Sequence, residues 1–345
     1  MRVDVMASPG PLRTMGDLAR DIGRAGFDGV VFTEGGRTAY LSAAVMATAA
    51  DIDIATGVAV AFPRSPMITA QVAWELQEAT GGRFRLGIGT QVKTHVIRRY
   101  AAPFDHPGPR LRDYVRAVKA SFAAFADGPL DHRGPFYELT FINRQWAPGA
   151  IPYSAPPVDI AAVNPWMLKM GGEVADGVHI HPLGEPGYIR RTALPAIAAG
   201  AAAAGRDVAD VTLIAPVMCV VGDTDEERAR DREQMRTMIS FYGSTPNYAF
   251  IFDDAGFEGT TTKLRERQKA GDMAGMAAVI TDEIMQTFTT EASWDGLAAA
   301  LRERYEGVAT RLVLYNAIQQ RVSSPERFRR YGDVAATLSA ATTTP

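Results

Sequence analysis

Cysteine occurs once in this chain of 345 residues, at Cys219. A single thiol cannot close an intramolecular disulfide, which excludes the small exported scaffolds that depend on them. Cys219 sits in the apolar run from Ile214 to Val221, where a buried, inert thiol is expected instead of a nucleophile. A basic excess is also missing. The 36 Lys and Arg residues stand against 39 Asp and Glu, so the electrostatic footprint of a nucleic-acid protein is absent. No apolar stretch approaches the ~20 residues that cross a bilayer. The opening Met1-Arg2-Val3-Asp4-Val5 has the look of a strand, not of a signal peptide. A cytoplasmic protein without membrane or nucleic-acid partners is expected.

What is present is a regular alternation of short apolar strands and amphipathic helices. Strands are expected at 2–6, 29–33, 54–60, 84–89, 157–162, 178–181, 211–221 and 311–315. Helices are expected between them, at about 14–25, 39–50, 66–80, 108–126, up to 175, 186–204, from Asp223 and Thr224 onward, and finally at about 324–338. Gly26 suits the end of the first helix, and Pro66 with Gly81-Gly82 brackets the third. Eight alternations with no strand-strand repeat predict an α/β fold, a (β/α)8 TIM barrel forming a single domain over residues 1–345. The rival is an open, doubly wound sheet. Its G-x-G-x-x-G fingerprint is missing after the first strand, where Gly10 stands alone. Segments 90–107, 129–148 and 243–290 do not fit the repeat and are expected as insertions, the second as a β-hairpin. Those after strands four and seven are expected to roof a site, because function in barrels gathers at the C-terminal strand ends.

Several segments, in order, resemble the bacterial luciferase-like superfamily, in particular its deazaflavin (coenzyme F420)-dependent branch. They are Gly26-Phe27-Asp28-Gly29-Val30, Ile54-Ala55-Thr56-Gly57-Val58 through Arg64-Ser65-Pro66, Gly82 to Gly89, Gly134-Pro135-Phe136-Tyr137, and Gly172 to Val178. The resemblance implies an F420-dependent oxidoreductase that moves a hydride between the deazaflavin and a small organic substrate. One alternative is a reduced-FMN-dependent monooxygenase on the same scaffold; another is a non-catalytic flavin-binding paralogue. A homodimer is expected. The chain departs from the branch at the end of strand two, where an Asp-His pair is common and Glu34-Gly35 stands here.

His179 and His181 lie two apart on one strand and so share a face, toward the barrel interior, with His181 at the lip. They are candidates for a proton donor or a hydrogen-bond donor, or are satisfied interior histidines. Glu34 at the end of strand two is a candidate base or cofactor-orienting group, or else a salt-bridged rim residue. No histidine spacing suggests a metal site. The resemblance implies a cis peptide at Gly57–Val58 in a bulge behind the cofactor ring, with Ala59 next to it. It implies cofactor contacts from Thr90 and Gln91, and phosphate contacts from the backbone at Ala162, Val163 and Asn164; His179 is expected among the cofactor-binding residues from its inward face. Lys93, with Arg98 and Arg99, is either a partner for the anionic cofactor tail or a solvated charge.

Overall fold

The computed structural model describes residues 1–340. Its strands are β1 (Arg2–Ala7), β2 (Gly29–Phe32), β3 (Asp53–Thr56), β4 (Ala59–Val60), β5 (Phe84–Gly89), β6 (His132–Arg133), β7 (Glu138–Leu139), β8 (Val158–Ala161), β9 (Gly177–His179), β10 (Thr212–Val221), β11 (Thr289–Ala292) and β12 (Arg311–Leu314). Parallel pairing runs β12-β1-β2-β3-β5-β8-β9, then through β10 back to β12, so the sheet closes. The fold is a (β/α)8 barrel.

Strand alternation sorts the side chains. Val3, Val5 and Ala7 of β1, like Val178 and Ile180 around β9, join the large cluster beneath the outer helices. Asp4, Met6 and His179 occupy the other face, inside the barrel. The helix Leu12–Ala25 shows why the wall forms: it buries Met15, Leu18, Ala19, Ile22 and Ala25 at three- and four-residue spacing. It ends at Gly26 with φ 103°, a left-handed conformation that a side chain would resist.

One expectation is met and two need correction. As expected, the third strand is interrupted by a bulge: β3 and β4 are separated by Gly57 and Val58, and the peptide bond between those two residues is cis. A strand went unforeseen at β11, whose polar Thr-Thr-Glu-Ala lacks an apolar run; it pairs with the half of β10 that extends past β12. The helix Trp294–Tyr305 behind it was also unassigned. The expected hairpin does form, as β6 and β7. Asp113 ties it to the barrel, accepting from His132 Nε2 at 2.9 Å and from the Phe136 and Tyr137 backbone N–H groups at 2.8 and 2.9 Å. After β10 come the helix Asp225–Gly243 and then several short helices, which pack on a second cluster with Phe252, Met276 and Phe288 against Met218 and Val220.

Candidate active site

The C-terminal ends of the strands surround a cavity of about 680 Å³. Gly57 and Val58 form part of its wall, with Thr90 and Gln91 after β5, Val163 and Asn164 after β8, His179 at the end of β9 and His181 two residues beyond it. Tyr242, Asn247, Tyr248 and Phe250 roof it from the segment after β10, and Tyr315 enters from the end of β12. Eight of the expected site residues therefore converge. Four do not line the cavity. Ala59 is buried in β4, pairing with Ile88. Ala162 is buried, its N–H donating to the His179 carbonyl at 3.2 Å. Lys93 stands exposed at the rim, and Glu34 lies to one side.

Glu34 has the ion pair of the salt-bridged alternative. It is buried, and its carboxylate is fully engaged. Arg64 donates to both oxygens, at 2.5 and 2.9 Å, and the Val60 N–H donates to Oε2 at 2.7 Å. An acid that ties β4 and Arg64 to the end of β2 shapes the wall beside Val58.

His181 is buried, and its Nδ1 accepts from the Leu183 N–H at 3.1 Å. That fixes the proton on Nε2 and makes the ring a donor. Burial pushes its pKa down from 6.5 to about 3, so it is neutral at physiological pH. The ring rests on Tyr248, centroids 3.9 Å apart, and meets Tyr242 edge-on at 5.2 Å. Tyr242 in turn shares a hydroxyl hydrogen bond with Tyr315. Burial raises the pKa of Tyr242, Tyr248 and Tyr315 and keeps all three phenols protonated.

His179 lies deeper. Burial lowers its pKa to about 4, opposed by Asp159 and assisted by Arg85 and Arg311. Asp159 is fully buried and held by Arg85 through two bonds, at 2.7 and 2.9 Å. Neither Asp159 nor Arg85 was singled out in the sequence. The signal was available: each is a lone charge inside an apolar strand, Val-Asp-Ile and Phe-Arg-Leu, and so faces the barrel interior. Among the described residues, no Asp, Glu, Lys or Arg lines the cavity. The arrangement can bind, orient and exclude water, and it offers neutral imidazoles and phenols as hydrogen-bonding groups. It offers no charged acid or base.

The family model for luciferase-like monooxygenases matches residues 1–311. The chain belongs to this family. An uncharacterized protein of Mycobacterium tuberculosis is 36% identical over 307 residues, covering 88% of this chain and 90% of that one. The 5,10-methylenetetrahydromethanopterin reductase of Archaeoglobus fulgidus is 27% identical over 308 residues, covering 86% of each chain. Among solved structures, the coenzyme F420-dependent tetrahydromethanopterin reductase from Methanopyrus kandleri superposes with a TM-score of 0.78 at 17% identity, covering 99% of both chains.

A flavin-type cofactor fits the residues present. The volume lies within the usual range for cofactor sites, roughly 300–1,000 Å³. The glycines at 57 and 89 let the wall pack closely: a Cβ at Gly57 would lie 2.3 Å from Val31 Cγ1 and 3.0 Å from His179 Cε1, and one at Gly89 would lie 2.7 Å from Val58 Cγ2. Aromatic rings cover the opposite side. Asn164 caps the helix Pro165–Val174, its side chain accepting from Met167 N–H at 2.9 Å, which places the N-terminus of that helix at the cavity edge.

Proposed function

We propose that the protein is an F420-dependent oxidoreductase that moves a hydride between the deazaflavin and a small organic substrate bound in this cavity. The observation that carries the reading is an aromatic-roofed cavity at the barrel's C-terminal mouth with no charged side chain in its lining. Such a site leaves the redox chemistry to a bound cofactor and contributes orientation and fixed dipoles. The likeness to F420-dependent reductases supports the same cofactor. Lys93 and Arg98 favour it further: both are exposed on the segment leaving the cavity at Val92, and neither has an ion-pair partner among the described residues. They are free to meet an anionic cofactor tail.

The deazaflavin, when bound, supplies a ring carbon that gives or accepts a hydride. The chain does the rest. Gly57, Val58, Thr90 and Gln91 hold the ring against the wall, and the backbone following Val163 takes the phosphate at a helix start. Tyr242, Tyr248 and Phe250 cover the substrate side of the cavity. His181 donates its Nε2–H to the substrate atom on which negative charge develops. Because the ring is neutral, it stabilises that atom without transferring a full proton, which is left to solvent.

The second reading, a reduced-FMN monooxygenase, is favoured by the description of the matching family. Tryptophan-fluorescence titration with F420 and FMN in parallel separates the two. F420 is expected to bind at least tenfold tighter, a difference of about 1.4 kcal/mol. Equal or reversed affinities overturn the assignment. A turnover assay with the bound cofactor then distinguishes an enzyme from a protein that merely binds flavin.

A further inference from the structure

We propose that His179 is a fixed hydrogen-bond acceptor at the floor of the cavity, its tautomer set by the buried Arg85–Asp159 pair, so that the site selects ligands presenting an N–H or O–H beside Gly57. The selection rests on the reading of this cavity as the ligand site; the tautomer does not.

The ring is 94% buried, with 6% of its residue surface exposed, and is slotted between backbones without side chains. A Cβ at Gly57 would sit 3.0 Å from Cε1 and 3.2 Å from Nδ1, and a Cβ at Gly87 would sit 2.7 Å from Nε2. Gly177 clears the space for the acid, since a Cβ there would lie 2.4 Å from Asp159 Oδ1. The slot fixes the plane of the imidazole, which sits with Nδ1 toward Gly57, a residue of the cavity wall, and Nε2 toward Gly87 and Asp159.

Nε2 is buried and has no hydrogen-bond partner, and the nearest charge to it is Asp159 Oδ2 at 3.8 Å. That distance is too long for a hydrogen bond and too short to hold a water between. It still decides where the proton sits. A lone pair on Nε2 would face a carboxylate oxygen across a gap of low dielectric, whereas an N–H there points its positive end at the charge. Arg85 orients the Asp159 carboxylate by binding both of its oxygens. The proton belongs on Nε2, and the neutral ring turns its remaining lone pair, on Nδ1, toward the cavity. Two residues on, His181 is wired the opposite way, with Nδ1 consumed by the Leu183 N–H and Nε2–H left as donor. One wall thus offers an acceptor at depth and a donor at the lip. A ligand carrying only acceptors on its inner edge leaves His179 unpaired and is disfavoured. In this scheme Asp159 is a positioning residue.

The test is nitrogen NMR on the full chain labelled with 15N-histidine, with His179 assigned from its absence in His179→Gln. In the ligand-free protein, His179 is expected to show a protonated Nε2 and an unprotonated Nδ1. The opposite tautomer overturns the proposal. On saturation with whichever of F420 and FMN binds, the Nδ1 resonance is expected to move upfield as it accepts a hydrogen bond. Binding that leaves Nδ1 unmoved overturns the acceptor role. If neither cofactor binds, the functional reading falls, and the ligand-free tautomer still decides this one. Asp159→Asn, with folding checked by its melting profile, should mix the tautomers. His179→Ala should weaken binding about tenfold, an effect of the size of one lost hydrogen bond.

Discussion

At the scale of the residue, the two histidines matter because they are neutral. Both are expected from their spacing on one strand, and the structure brings both to the cavity. Their charge state was not legible, since it depends on burial and on the Leu183 N–H, which only the folded chain supplies. The consequence for stability has a definite sign. Folded values of about 4 and about 3 lie below the unfolded value of 6.5. Between these limits the unfolded chain binds more protons, so stability falls as pH drops below about 6.5 and is unaffected by these rings above it. At about pH 5 each histidine is expected to cost on the order of 2 kcal/mol. Urea unfolding of the wild type and of His179→Gln/His181→Gln should give midpoints that converge as pH falls from 7 to 5. The catalytic counterpart is a kcat profile without a histidine limb between about pH 5 and 8. His181→Ala should lower kcat by about 10²-fold, as removing one preorganised donor does, and should leave cofactor affinity within a few-fold. Near-normal turnover in that variant would assign the stabilising donor elsewhere.

At the scale of the element, the junction between β2, β3 and β4 depends on Glu34 and Gly87. Glu34 looked like a site acid because it ends a strand at the catalytic lip. Its partner Arg64 lies 30 residues away, and no local pattern links the two. What the sequence could show was the lone position of Glu34 after an apolar strand; what it could not show was that Val60 N–H and Arg64 occupy the carboxylate. Glu34→Gln is therefore expected to destabilise the fold by about 3 kcal/mol, the usual result of breaking a buried pair. The shape of the pH–rate profile should stay unchanged, whereas loss of a limb would restore Glu34 as a base. Gly87 carries a harder constraint. A Cβ there would lie 1.8 Å from the Thr56 carbonyl oxygen, so β3 and β5 could not keep their pairing. Gly87→Ala is expected to give insoluble protein or a loss exceeding about 3 kcal/mol in chemical denaturation.

At the scale of the whole molecule, the barrel was legible because eight apolar strands punctuated by helices admit few other closures. The extra strand β11 was not, because its pairing partner is the overhang of β10, a feature of length that an apolar run does not reveal. That overhang leaves the molecule with two unequal cores. The large one joins the strands to the outer helices, and the smaller gathers the short helices after β10 around Phe252, Met276 and Phe288. Few strand residues enter the smaller core, notably Met218 and Val220. Elements with a smaller buried contact set open at lower free energy than the core strands. The same segment supplies Tyr242, Asn247, Tyr248 and Phe250 to the cavity, so a ligand that touches them is paid for partly by ordering them. Amide exchange should therefore be faster across residues 246–288 than in β1, β5 and β8, and it should slow on adding the tighter-binding cofactor, most of all around Tyr248. Uniform exchange across both cores, with no change at Tyr248 under saturating cofactor, would show that the roof is rigid and that the cavity is entered by another route.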